Sequence, residues 1–154
     1  MTLLTASKSD IMGVRVKQSI KANPDAVLKE DVVPRRILLV EDNDLNRQML
    51  DDYLGFCGYQ VFSIGRGSDF FQVLADFKPH LILLDLRLPD IDGYTLLQQI
   101  QQSSDWQHIP VIVVSAFAFR VDQQRALTLG VRRYFVKPVN LSDLKQAIQE
   151  ELLG

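Results

Sequence analysis

Three short stretches of this chain are apolar at every position: Ile37-Leu38-Leu39-Val40, Leu81-Ile82-Leu83-Leu84 and Val111-Ile112-Val113-Val114. Their length and β-branched or leucine content mark them as buried strands. Tyr134-Phe135-Val136 reads as the last strand, and Tyr59-Gln60-Val61-Phe62-Ser63-Ile64 alternates as a strand does. The segments between them repeat with the helical period. Leu45, Met49, Leu50, Tyr53 and Leu54 share one side of a segment that reaches about Cys57 and stops at Gly58. Phe70, Phe71, Val73 and Leu74 form the inner side of a helix through Phe77, with Ser68 as its expected cap. Tyr94 to Gln102 follows Asp92-Gly93 as a helix, and Val121 to Leu129 is a helix ended by Gly130. Asn140 caps a closing helix with Leu141, Leu144, Ile148 and Leu152 inside. The order is strand then helix, repeated. Strands apolar on both faces belong in a parallel sheet covered by helices on each side. The repeat is too short for an eight-stranded barrel. The pattern predicts an α/β fold: a doubly wound five-stranded parallel sheet, order 2-1-3-4-5, with five flanking helices.

The stretch before the first strand is different. Residues 1–34 are mixed in charge and carry no sustained apolar period, so they read as an arm, flexible or a short docked helix, before a domain over 35–154. Ser9-Asp10 can cap a short helix through Ile20 with Ile11 and Val14 on one side, and Asn23-Pro24-Asp25 reads as a turn. The net charge of −2 comes without a basic stripe, which argues against nucleic acid as a partner. Cys57 is the one cysteine, so neither an internal disulfide nor a Cys/His metal cluster can form, and its apolar surroundings make it an expected small buried hydrophobe. No apolar run nears the roughly 20 residues of a membrane span. Met1-Thr2-Leu3-Leu4-Thr5-Ala6 lacks the basic start of a signal peptide, and Lys8 and Asp10 break the apolar stretch early. A cytoplasmic protein without a membrane partner is expected, and Met1 favours a free-standing chain over a piece of a larger one.

In open parallel sheets, ligands bind beyond the carboxyl ends of the strands. Glu41 and Asp42 follow strand 1, Asp85 follows strand 3, Ser115 ends strand 4 and Lys137 follows strand 5. Each has an ordinary reading on its own. An Asp after a strand is usually a turn residue or a helix cap, a loop serine usually caps, and a lysine is usually solvated. Asn43 and Asp44 fit the role of caps for the first helix. The joint placement outweighs those readings, because four strand ends deliver three carboxylates, a hydroxyl and an ammonium to one edge of one sheet. Crowded carboxylates repel one another, and a hard divalent cation relieves that repulsion. Mg²⁺ suits one or two carboxylates with several waters, and leaves room for a phosphoryl oxygen. Lys137 is a point charge suited to phosphate, Ser115 offers a hydroxyl donor, and a carboxylate such as Asp85 is a competent nucleophile toward phosphorus.

These residues resemble the response-regulator receiver family of two-component signalling. The resemblance rests on Ile37-Leu38-Leu39-Val40-Glu41-Asp42-Asn43, Asp85-Leu86-Arg87-Leu88-Pro89-Asp90-Ile91-Asp92-Gly93, Val113-Val114-Ser115-Ala116 and Tyr134-Phe135-Val136-Lys137-Pro138, and covers about Arg36 to Leu153. It is similar above all to single-domain regulators and to the receivers of hybrid kinases. The resemblance implies a flavodoxin-like receiver fold with Asp85 as phosphoacceptor. It implies Mg²⁺ bound by Asp42 and Asp85, by Glu41 through a water, and by the backbone carbonyl of Arg87. Lys137 would pair with the acidic cluster and then with the phosphate. Ser115 would move toward the phosphoryl group and Tyr134 would turn inward with it as the switch. The Lys137-Pro138 bond is expected to be cis.

The resemblance further implies a histidine kinase or phosphotransfer protein as donor and a protein as downstream target, with homodimerisation on phosphorylation as a further possibility of the family. The chain would not be an enzyme in the ordinary sense; it would assist its own phosphorylation and slow dephosphorylation. Arg87 and Phe117 lie two residues beyond Asp85 and Ser115. Their bulk is expected to obstruct an attacking water and prolong the phosphorylated state. Phe117, Phe119 and Val121 lie along the segment from Ala116 to Leu129 that should form the output surface. Three rivals share parts of the pattern. A pseudo-receiver would never take phosphate, which the full acidic set argues against. A flavodoxin-like cofactor binder needs a Ser/Thr/Gly-rich loop after strand 1, where this chain has Glu41-Asp42-Asn43-Asp44. A phosphohydrolase with an aspartate nucleophile needs an acid/base partner that Arg87 cannot be.

Overall fold

The computed structural model describes residues 33–154. The expected arm at 1–34, with its helix and turn, therefore lies outside the described residues save for its last two positions. The strands are β1 (Arg36–Val40), β2 (Gln60–Ile64), β3 (Leu81–Leu84), β4 (Val111–Ser115) and β5 (Arg133–Val136), and the helices are α1 (Asp44–Phe56), α2 (Phe70–Phe77), α3 (Gly93–Gln102), α4 (Arg120–Thr128) and α5 (Leu141–Leu153). All neighbouring strands pair in parallel, in the order β2-β1-β3-β4-β5.

The apolar runs explain the layers. Successive strand residues face opposite sides. Leu38, Val40, Ile82, Leu84, Val111 and Val113 pack on one side with Phe70 and Leu74 of α2, Leu96 and Leu97 of α3, and Ala126 of α4. Ile37, Leu39, Leu81, Leu83, Ile112 and Val114 pack on the other with Leu50 and Leu54 of α1 and Leu144 and Ile148 of α5. Every strand residue from Leu81 to Leu84 is buried, as a central strand covered twice requires.

Local chemistry sets the element ends. The Asn43 side chain accepts from Asn46 N–H and the Asn140 side chain from Asp143 N–H, capping α1 and α5. Gly58 (φ +100°) follows α1 in the left-handed region, which lets the chain leave the helix at once. Five expectations need correction. Leu45 and Met49 are exposed, because the buried side of α1 is the narrower stripe through Leu50 and Leu54. Cys57 is only half-buried, since it sits at the C-cap of α1 beside the turn. Ser68 does not cap α2: Asp69 precedes the helix without a side-chain cap, and the Ser68 N–H instead donates to Asp90 Oδ2 at 2.8 Å. β2 does not alternate, because Val61 and Phe62 face opposite cores and both are buried. On α2, Phe71 is only partly buried and stacks on Trp106.

At the far end of the sheet from the acidic residues, the Arg36 N–H donates to His80 Nδ1 at 2.8 Å. The bond requires an unprotonated Nδ1. Burial lowers the His80 pKa from its ordinary 6.5, and Arg36 and Arg35 add to the effect. The unfolded chain then binds the extra proton first, so the stabilisation should be complete above the unfolded value and be lost as pH drops from there toward the folded one. Urea unfolding between about pH 7 and pH 5 should show this loss, with a flatter profile for His80→Asn. Equal slopes in the two proteins would remove His80 as the cause.

Candidate functional site

The ladder continues past the strand ends and sets the site residues in a row. Glu41 N–H donates to the Ile64 carbonyl (3.0 Å), Asp85 N–H to the Val40 carbonyl (2.9 Å) and Lys137 N–H to the Ser115 carbonyl (2.9 Å). Each residue after a strand is thereby held beside the end of the neighbouring strand. Glu41 and Asp85 are almost fully buried, 1% and 4% exposed, while Asp42 is exposed. Lys137 Nζ lies 2.8 Å from Glu41 Oε1 and 2.8 Å from Asp85 Oδ2. The remaining oxygens have backbone donors: Asn43 N–H reaches Glu41 Oε2 at 3.0 Å, and Arg87 N–H reaches Asp85 Oδ1 at 3.0 Å. The Lys137-Pro138 peptide bond is cis, as expected.

The electrostatics follow from this packing. Burial pushes the Glu41 carboxyl above its ordinary 4.5; hydrogen bonds from Lys137 and Asn43 oppose the shift without cancelling it, and the Asp85 charge adds to it. Burial works to lower the Lys137 pKa, but hydrogen bonds and charge from Asp85 and Glu41 outweigh it, so the ammonium is held above its ordinary 10.5. Glu41, Asp42 and Asp85 can each present one carboxylate oxygen within 4.8 Å of the others. Three hard oxygen donors this close fit a small hard cation and would repel one another without one.

Ser115 and Tyr134 lie to one side of this cluster. Ser115 is fully buried, its Oγ accepting from Phe117 N–H at 3.2 Å, and among the described residues no hydrogen bond joins it to Asp85. The Tyr134 hydroxyl donates to the Phe117 carbonyl at 2.8 Å, and its ring is half-buried. Both therefore meet at Phe117, whose own ring packs on the core while Phe119 and Val121 stand exposed. The Arg87 guanidinium lies 5.7 Å from the centre of the Phe117 ring, so the two bulky residues flanking the site meet each other.

Sequence reasoning missed several contacts around the site. Gly93 N–H donates to the Leu86 carbonyl at 3.1 Å, tying α3 to the Asp85 loop. Asp90 receives Gly67 N–H and Ser68 N–H, both at 2.8 Å, and these bonds hold its carboxyl below the usual range. The Tyr94 hydroxyl reaches the Asp122 carbonyl (3.3 Å), and Arg125 lies 3.9 Å over the Tyr94 ring, so α3 carries the first turns of α4. A hollow of about 440 Å³ between these helices is lined by Tyr94, Thr95, Gln98, Arg125, Thr128 and Leu129 and holds none of the acidic residues. Arg47 spans Glu41 and Asp44. The Arg47–Asp44 spacing was visible as a helical pair; the others depend on long-range backbone geometry.

Comparison with known proteins gives a consistent answer. The family model described as the response regulator receiver domain matches residues 37–149. The polar-differentiation response regulator DivK of Brucella anthropi is 30% identical over 120 residues, which cover 78% of this chain and 98% of that protein. Among solved structures, the signal receiver domain of a signal transduction histidine kinase from Syntrophus aciditrophicus superposes with a TM-score of 0.72 at 29% identity, covering 78% of this chain and 91% of that one. The receiver domain of a sensor histidine kinase from Pseudomonas aeruginosa, solved with a magnesium ion coordinated in its active site cleft, gives a TM-score of 0.69 at 29% identity over 79% of this chain and all of that one.

Proposed function

The chain belongs to the response regulator receiver domain family, and on that premise we propose that it is the phosphoacceptor of a two-component phosphorelay, taking a phosphoryl group on Asp85 from a histidine kinase or histidine phosphotransfer protein in a Mg²⁺-dependent reaction. The observation that carries this reading is the placement of Lys137 Nζ at 2.8 Å from both Glu41 and Asp85, with the Asp42 carboxylate within reach of both. Asp42 and Asp85 would hold Mg²⁺ directly, Glu41 would do so through a water, and the Arg87 carbonyl would complete the protein's share. The bound ion supplies charge neutralisation for the phosphoryl oxygens. The magnesium seen in the Pseudomonas receiver supports the choice of ion.

In the reaction, the phosphorus–nitrogen bond of the donor phosphohistidine breaks as a carboxylate oxygen of Asp85 bonds to phosphorus. The released imidazole keeps the electron pair and takes its proton from solvent. Lys137 stays beside Asp85 and moves its contact to a phosphoryl oxygen. Ser115 lies one strand away and would donate its hydroxyl to another. The protein contributes position and charge, which is most of what phosphoryl transfer needs. It is an acceptor that assists its own modification rather than an enzyme turning over a separate substrate. When Ser115 moves, the Phe117 N–H loses its acceptor and Tyr134 its fixed partner. That biases α4, which buries only Ala126 and has no side-chain N-cap. The exposed Phe119 and Val121 beside it would then meet a protein target. No described helix is long and apolar enough to cross a membrane, and a cytoplasmic setting suits a partner that is a kinase.

The test is incubation of the full chain with Mg²⁺ and acetyl phosphate, read by intact mass. A gain of one phosphoryl group that Asp85→Ala abolishes is expected. No uptake, or uptake that survives in Asp85→Ala, overturns the proposal. The contact of Arg87 with Phe117 supports a long-lived phosphate, since together they narrow the approach of water. Arg87→Asn and Phe117→Glu should each release phosphate severalfold faster than the parent in a decay assay after donor removal. Unchanged decay in both variants would sink this gate.

A further inference from the structure

We infer that Arg47 is a positioning residue for the metal site, setting the Asp42 carboxylate by gripping the peptide that carries it. The inference rests on the reading of Glu41, Asp42 and Asp85 as the Mg²⁺ site. Arg47 lies in the first turns of α1, its guanidinium turned back over the end of β1. Its Nη1 donates to the Glu41 carbonyl at 2.9 Å, and its Nη2 to Asp44 Oδ1 at 2.7 Å. The Glu41 carbonyl belongs to the peptide group that joins Glu41 to Asp42. Because that group is planar, fixing the carbonyl fixes the direction in which Asp42 leaves the strand.

Glu41 is otherwise fixed at every polar atom. Its N–H is held by the Ile64 carbonyl, its Oε1 by Lys137 and its Oε2 by Asn43 N–H. Asp42, by contrast, is exposed, and no hydrogen bond to another described residue holds its carboxylate. Its position is set through the backbone, and Arg47 is the side chain that clamps that backbone. The clamp sits over Gly65, where an added Cβ would come within 2.7 Å of Arg47 Nη1 and 3.8 Å of the Glu41 carbonyl oxygen. A methyl group there has space against the backbone and none against the guanidinium. Gly65 thus keeps clear the place that Arg47 occupies.

Charge alone predicts the opposite of positioning. A cation at the edge of an acidic site competes with Mg²⁺, so removing it should tighten Mg²⁺ binding. Loss of a group that orients a ligand should weaken binding, on the order of tenfold for a partner outside the coordination shell. The sign of the change separates the two. Arg47→Met removes both charge and clamp. Gly65→Ala keeps the charge and displaces the clamp.

The experiment is an amide NMR titration of the full chain with MgCl₂ at fixed ionic strength, run on the parent, Arg47→Met, Gly65→Ala and Asp42→Ala. The same spectra report whether each variant is folded. Both clamp variants should bind Mg²⁺ on the order of tenfold more weakly than the parent, with shifts confined to the site. Tighter or unchanged binding in a folded Arg47→Met or Gly65→Ala protein overturns the inference while the metal site stands. A folded parent that shows no saturable Mg²⁺ response, or a response that Asp42→Ala leaves intact, overturns the reading of the site itself.

Discussion

Lys137→Ala is expected to lower the unfolding free energy by about 3 kcal/mol in metal-free buffer, and Mg²⁺ is expected to restore a large part of that loss. Lys137 is the direct counter-ion of two carboxylates whose residues are 1% and 4% exposed. Removing one member of a buried ion pair leaves an uncompensated charge, which costs more than the pair contributed. Here it leaves two, on neighbouring strands. The figure sits at the low end of the range because the Lys137 side chain is itself 21% exposed, so water can enter the space it vacates. A divalent cation held by Glu41, Asp42 and Asp85 would replace the missing charge, and any ligand that binds only the folded state stabilises it. Urea unfolding of parent and variant, each with and without MgCl₂, measures both terms. Lys137→Ala combined with Asp85→Asn should recover much of the loss without metal, because a single buried carboxylate then remains beside an amide. A loss that neither Mg²⁺ nor the second substitution reduces would show that Lys137 acts through packing of its stem.

The architecture was legible because the central strands are apolar at every position, and only a sheet covered on both sides uses such strands. The parity of each run, Leu38 and Val40 against Ile37 and Leu39, already divides the two cores. The chemistry was legible for a related reason. Parallel strands point the same way, so the residues just after each run collect at one edge, and Glu41, Asp42, Asp85 and Lys137 do converge there. Errors came where periodicity is a poor guide to exposure. Leu45 and Met49 fit the helical stripe of α1, but the face that the helix buries is narrower and runs through Leu50 and Leu54. Ser68 had the right type for a cap and lost the role to the geometry of Asp90. The contacts that hold the site from outside were invisible, because Arg47 to the Glu41 carbonyl and Tyr134 to the Phe117 carbonyl end on backbone atoms. Backbone acceptors are present at every residue and leave no mark in sequence.

Gly93→Ala should damage phosphoryl uptake far more than its size suggests. A Cβ on Gly93 would lie 2.6 Å from Leu86 Cα and 2.7 Å from the Leu86 carbonyl oxygen. These are backbone atoms, so no side chain can swing away to make room. Either the first turn of α3 or the segment between Asp85 and Arg87 must shift. Both carry the site: Gly93 N–H binds the Leu86 carbonyl, and Arg87 N–H holds Asp85 Oδ1. Overpacking of this kind costs about 2 kcal/mol of stability. Displacing a reacting carboxylate by a fraction of an ångström to one ångström lowers a transfer rate by about 10- to 100-fold. Gly130→Ala separates the two effects. Gly130 has φ +92°, and a Cβ there would meet only Gln101 Nε2 at an ordinary contact distance of 3.9 Å, so alanine strains the backbone away from the site, at about 1 kcal/mol. Initial rates of acetyl phosphate uptake, with unfolding curves of the same preparations, decide the matter. Gly93→Ala should lose both rate and stability, and Gly130→Ala stability alone. Equal rates in the two folded variants would mean that the Asp85 loop absorbs the added methyl group without moving its carboxylate.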